Sequence, residues 1–158
     1  MAMEKKKVTI LLSRYRDPFS KIIALNSRGI FTHCSISVDP EENHFYSFNK
    51  KGFVDEYWQN KKSKYLMPER HYLHLYVDEA VFEKIKAEIE RFREKRQEFT
   101  YSVFGTFLCM MHIPHRFKRR YFCSRFVAEV LKNSGAVTLK KKCSLYLPMH
   151  FLKELKTI

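Results

Sequence analysis

FTHCSISVDPEENHFYSFN, residues 31–49, carries the clearest structural signal in the chain. From Phe31 to Val38 the residues alternate: Cys34, Ile36 and Val38 fall on one side of an extended strand, and His33, Ser35 and Ser37 on the other. Asp39-Pro40-Glu41-Glu42-Asn43 has turn composition, and His44–Asn49 reads as a second strand, so the stretch predicts a β-hairpin with a five-residue loop. A symmetric loop pairs Val38 with His44, Ser35 with Ser47 and His33 with Asn49. One face of the hairpin is then apolar. The other is a patch of His33, Ser35, Ser47 and Asn49 whose small side chains leave room for another element.

On the N-terminal side, Lys7–Ser13 (KVTILLS) reads as a first strand, ended by the turn signal Asp17-Pro18. Ser20–Ser27 reads as a short helix capped by Ser20 and ended by Arg28-Gly29. On the C-terminal side, Gly52 marks a break and Arg70–Val77 a further strand. Glu79–Gln97 reads as an amphipathic helix behind Asp78, with Val81, Ile85, Ile89 and Phe92 on one stripe. Tyr101–Met111 is a buried apolar segment of undefined conformation. Tyr121–Ser134 reads as a helix ending at Gly135, and Leu147-Pro148 opens a last helix, Met149–Lys156. This is an α+β pattern, with an antiparallel sheet or partial barrel packed against the Tyr121–Ser134 helix.

With 158 residues, 45% hydrophobic and 15% aromatic, and with no repeat or low-complexity linker, the chain is expected to be one domain spanning 1–158. The apolar run Val8–Leu12 is too short for a signal-peptide core or a membrane span, so a cytoplasmic protein is expected. The four cysteines form no CxxC pair, which points to a reduced compartment. The spacing of Cys109, His112 and His115 matches no common metal module, and His71 and His74 lie out of phase on a strand; neither a metal nor a cofactor is expected. A net charge of +13 is spread over short clusters such as Lys61–Lys64 and Arg116–Arg120, as on a solvated basic surface rather than a dedicated nucleic-acid face.

The chemistry falls on Cys123. In the first turn of its helix it shares a side with Val127 and Val130, so the thiol faces the packed side. Burial raises a thiol pKa, whereas a helix N-terminus and a neighbouring imidazolium lower it, and the same N–H groups can hold an oxyanion. His33, at the start of a strand with a small-residue face, can serve as base, and Asn49 beside it can fix the imidazole tautomer, with Ser47 the alternative if the hairpin register shifts by two.

The stretches THCSISV, HFYSFN, YFCSRFVAEVLKNSG and YLPMHFLKEL together resemble the circularly permuted branch of the NlpC/P60 papain-like superfamily, which includes YiiX-like proteins and the lecithin:retinol acyltransferase group. The resemblance implies a nucleophile at Cys123, a general base at His33 ahead of it in the chain, and a third polar residue on the next strand, at Asn49. Where that branch often has apolar-Gly-apolar after the His, this chain has Cys34-Ser35-Ile36. The resemblance implies a thiol hydrolase acting on a small peptide or amidated amino acid, with an acyltransferase on lipid esters as the alternative. A non-catalytic basic module on the same fold is the rival from outside enzymology, and the oligomeric state is left open. Without a secretion signal, a peptidoglycan substrate is not expected.

Overall fold

A computed structural model describes residues 4–155. Five antiparallel strands form one sheet in the order β4-β3-β2-β1-β5: β1 (Lys6–Tyr15), β2 (His33–Ser37), β3 (His44–Asn49), β4 (Gly52–Tyr57) and β5 (Leu66–Val77). Five helices accompany it: α1 (Pro18–Ser27), α2 (Glu79–Glu94), α3 (Val103–Met110), α4 (Cys123–Ser134) and α5 (Pro148–Leu155). A parallel pair, β6 (Thr100–Tyr101) and β7 (Arg120–Tyr121), leads into α3 and α4. The class is α+β. Lys156, placed in the last helix from sequence, lies outside the described residues.

The hairpin forms as its alternation requires. Ile36 pairs with Tyr46, the register of a symmetric five-residue loop. Asp39 organises that loop: its carboxylate accepts from the backbone N–H groups of Glu41 and Asn43 at 3.0 Å and of His44 at 3.3 Å. Cys34 and Ile36 sit in the main core with Val8, Ile10 and Leu12 of β1, Leu73, Leu75 and Val77 of β5, and the inner faces of α2 and α4. The centre of that core is aromatic: Phe48 and Phe92 each pack against Phe99, Tyr121 and Phe126 at ring separations between 4.7 and 6.4 Å. Burying such rings makes this layer the main source of cohesion.

Three local expectations are corrected. Asp17, not Ser20, caps α1: its carboxylate accepts from the Ser20 N–H at 3.1 Å and from the Ser20 hydroxyl at 2.5 Å, with Pro18 opening the helix. The left-handed residue ending that helix is Arg28 at φ 55°, not Gly29. After Gly52 the chain does not break but turns back as β4, paired along its length with β3 from His44–Tyr57 to Asn49–Gly52. Gly52 takes φ 94° there, a conformation that disfavours any side chain. The apolar stretch after Tyr101 is helical over Val103–Met110, capped by Ser102. Among the described residues, no helix is long and apolar enough to cross a membrane.

Candidate active site

Cys123 is the first residue of α4. The residue preceding it, Phe122, offers no side-chain cap, so α4 begins with N–H groups that no cap occupies. Ser124 anchors this end by donating its hydroxyl to the Tyr146 carbonyl at 2.5 Å. At the other end Gly135, at φ 78°, closes the helix and lets the Ala136 N–H reach the Leu131 carbonyl at 3.1 Å. Because α4 packs on β2 and β3, its first turn lies beside the start of β2, where His33 stands. Both Cys123 and His33 line one cleft of about 520 Å³, at whose wall Cys123 is 9% exposed.

The partner of His33 is Glu56, on β4. His33 Nε2–H donates to Glu56 Oε1 at 3.1 Å, with Oε2 at 3.3 Å, which leaves Nδ1 as the ring nitrogen free to face Cys123. The Glu56 carboxylate is 4% exposed and also accepts from the ammonium of Lys61, which lies over the rings of Trp58 and Tyr15. Tyr15 meets the imidazole edge-on at a centroid distance of 5.6 Å. Glu56 can lie close over this face because Ser35 and Ser47, both fully buried, present only small side chains there.

The electrostatics of the three groups agree with one another. A hydrogen bond from the Cys34 thiol favours the Cys123 thiolate most; burial opposes it, and the His33 imidazolium and the Cys34 N–H add to the lowering, so the Cys123 pKa falls well below its ordinary value. Burial disfavours a charge on His33, but the Glu56 carboxylate and the Cys123 sulfur overcome it and raise the imidazole well above its usual pKa. Burial likewise opposes ionisation of Glu56, yet His33 and then Lys61 hold its carboxyl down at about 2. All four shifts favour the charged forms: thiolate, imidazolium, carboxylate and ammonium in sequence. The other three cysteines move upward: burial dominates at each, and Cys109 is pushed to about 12.

Cys123 and His33 are thus brought together as the sequence predicts, and Asn49 is not part of the contact. Although Asn49 also lines the cleft, its side-chain oxygen accepts from the Lys51 N–H at 2.8 Å and serves the β3–β4 turn. Ser47, the alternative, donates to the Cys34 carbonyl at 2.7 Å. Glu56 and Lys61 go unseen in the sequence because β4 goes unseen. The β-forming residues Phe53, Val54 and Tyr57 after the turn residues Asn49–Gly52 are the signal that would have found them. Lys61 belongs to a cluster that composition assigns to solvated turn charge, whereas here one of its four residues, all but Ser63 cationic, is drawn into the site. The remaining residues singled out earlier stay apart: Cys109 is buried against Ile23, Met110, Phe122 and Leu147, while His112 and His115 are exposed. His74 pairs with Glu42 at 2.6 Å, far along β5 from this cleft.

Comparison with known protein families and with curated proteins finds no match.

Proposed function

We propose that the protein is a cysteine hydrolase of the permuted NlpC/P60 papain-like kind, cleaving an amide of a small peptide or amidated amino acid. The observation that carries this reading is the chain of contacts from Glu56 through His33 to a Cys123 thiolate at an uncapped helix start. Cys123 Sγ attacks the carbonyl carbon, forming a C–S bond, and the oxyanion is held by N–H groups at the start of α4. The His33 imidazolium gives its proton to the leaving amine as the C–N bond breaks. The neutral imidazole then takes a proton from water, whose oxygen attacks the thioester and releases acid and thiolate. Glu56 keeps Nε2 as the donor nitrogen and stabilises the imidazolium, while Lys61 keeps Glu56 ionised.

An ester-bearing lipid is the second substrate class, favoured by the apolar cleft walls of Phe19, Ile23, Tyr101, Phe122 and Leu147. Incubation with amide and ester panels, followed by intact-mass detection of an acyl adduct, tests both. Adducts on the parent protein and none on Cys123→Ala are expected; turnover that survives Cys123→Ala would remove the reading.

A further inference from the structure

α1 and α3 lie side by side, joined by the Asn26 side-chain amide donating to the Met110 carbonyl at 3.3 Å. Their inward residues Ile23, Cys109 and Met110 already pack with Phe122 and Leu147. The outward residues of these helices, and of the turn that ends α3, are nevertheless large and apolar: Leu25 is 83% exposed, Phe104 57%, Met111 54% and Phe107 49%. Singly exposed apolar residues are ordinary, but a cluster on two adjacent short helices is not.

The loop after α3 adds charge to this apolar face. It folds back through the Ile113 N–H to the Leu108 carbonyl at 2.9 Å, and Phe117 packs on Phe104 at a ring distance of 5.7 Å with Arg120 above it at 5.8 Å. Arg116, Lys118, Arg119 and Arg120 are all exposed, and between Glu98 and Glu129 the chain has no acidic residue. Phe19, Ile23 and Thr106 of the same two helices line the cleft that holds Cys123.

We propose that the outer faces of α1 and α3, with the loop 111–120, form a docking surface for an anionic lipid bilayer. Apolar side chains interleaved with cations match the headgroup boundary of a membrane, where rings and aliphatic chains enter the acyl layer and the arginines and lysines meet lipid phosphates. Nucleic acid would use the cations and stack on the phenylalanines, but it would leave Leu25, Met111 and Ile113 without a partner. The cleft mouth, sharing these helices, then opens at the membrane surface. Docking is independent of the cysteine chemistry, so Cys123→Ala binds like the parent.

Co-sedimentation with phosphatidylcholine vesicles, with and without phosphatidylglycerol, tests the surface. The parent protein and Cys123→Ala are expected to pellet with the mixed vesicles and stay in solution with the neutral ones. Phe104→Ser with Phe107→Ser, and separately Lys118→Glu with Arg119→Glu, weaken that binding by roughly tenfold or more at unchanged thermal stability. Lys84→Glu, on α2 and outside the loop 111–120, changes it by less than about twofold, because only local charge counts. The proposal is overturned by no association with mixed vesicles, by binding that ignores the phenylalanine substitutions, or by a dimer in sedimentation equilibrium that those substitutions dissolve. Vesicle binding displaced by an equal charge of single-stranded oligonucleotide and insensitive to the phenylalanines would assign the face to nucleic acid instead.

Discussion

Glu56 Oε1 lies 3.1 Å from His33 Nε2 although their strands are not neighbours: β3 runs between them. A carboxylate that crosses a strand to reach an imidazole needs small residues underneath, and Ser35 and Ser47 supply them. It also needs a reason to remain ionised in a nearly dry site, and His33 and then Lys61 supply that.

Glu56→Gln removes the charge that holds His33 protonated. The imidazole pKa falls, the thiolate loses its partner, and alkylation of Cys123 by iodoacetamide at neutral pH slows by roughly tenfold or more, one decade per pKa unit. Lys61 is left without its carboxylate, so the variant is also less stable, by on the order of 3 kcal/mol. Stopped alkylation read by peptide mass, with a thermal melt, measures both.

In the parent protein the alkylation rate at Cys123 stays level as the pH falls below the ordinary thiol value of 9.0 and drops only when the pH passes below the lowered thiol pKa. Cys34→Ala withdraws the largest contribution to that lowering and moves the fall toward higher pH. A Cys123 that titrates near its free value of roughly 8.5 would remove the activated nucleophile.

Asn49→Ala is expected to leave the alkylation profile within about twofold of the parent, and to cost no more than about 1 kcal/mol through the weakened β3–β4 turn. Comparing it with Glu56→Gln in one pH series assigns the orienting role: a large effect at Asn49 and none at Glu56 would reverse the assignment.

Stability depends on pH in a defined way. Glu56 ionises at about 2 when folded against an ordinary 4.5, so its contribution is fully present above 4.5 and is lost as the pH falls toward 2, on the order of 3 kcal/mol in all. His33, with a raised pKa, gives stability that is full below its ordinary 6.5 and is lost as the pH rises through the folded value. Cys123, with a lowered pKa, gains stability as the pH rises toward its ordinary 9.0. Between 6.5 and 9.0 these two offset each other, because the folded pair and the unfolded pair each carry one proton. Urea unfolding of the parent is expected to vary little with the pair over that interval, and the difference from Glu56→Gln to shrink as the acid is increased from pH 5 to roughly pH 2.

Phe126 is fully buried between Phe48, Phe53 and Phe92. Phe126→Ala opens a cavity in the layer that seats α4 and costs roughly 3 to 5 kcal/mol, read by chemical denaturation. With α4 loosened, Cys123 alkylation at neutral pH drops toward that of an ordinary buried thiol.

Much of the sheet can be read directly from side-chain period. The alternation from Phe31 to Asn49 yields the hairpin and its register, because a one-residue slip would expose Cys34 and Ile36. Cys123 and His33 stand out for a related reason: a helix start and a strand start are positions with distinctive neighbours. β4 is harder to see, since Asp55 and Glu56 break its apolar pattern with two charges in a row. Those same charges serve opposite faces, Asp55 pairing with His44 at 2.8 Å and Glu56 with His33. Glu56 is therefore hidden by the strand that presents it, and Asn49, opposite His33 in the register, is the nearest polar residue in view. Lys61 could not be picked out from its cationic neighbours, because only the chain's path past Trp58 distinguishes it.

The chain order of the parts also bears on synthesis. His33 and Glu56 leave the ribosome well before Cys123 and the rest of α4. Until that helix docks on β2, the sulfur has neither imidazolium nor Cys34 beside it and remains an ordinary, weakly nucleophilic thiol. The lowering of the thiol pKa thus arises only once α4 has docked, so Cys123 of an unfinished chain is no more open to alkylation than an ordinary thiol.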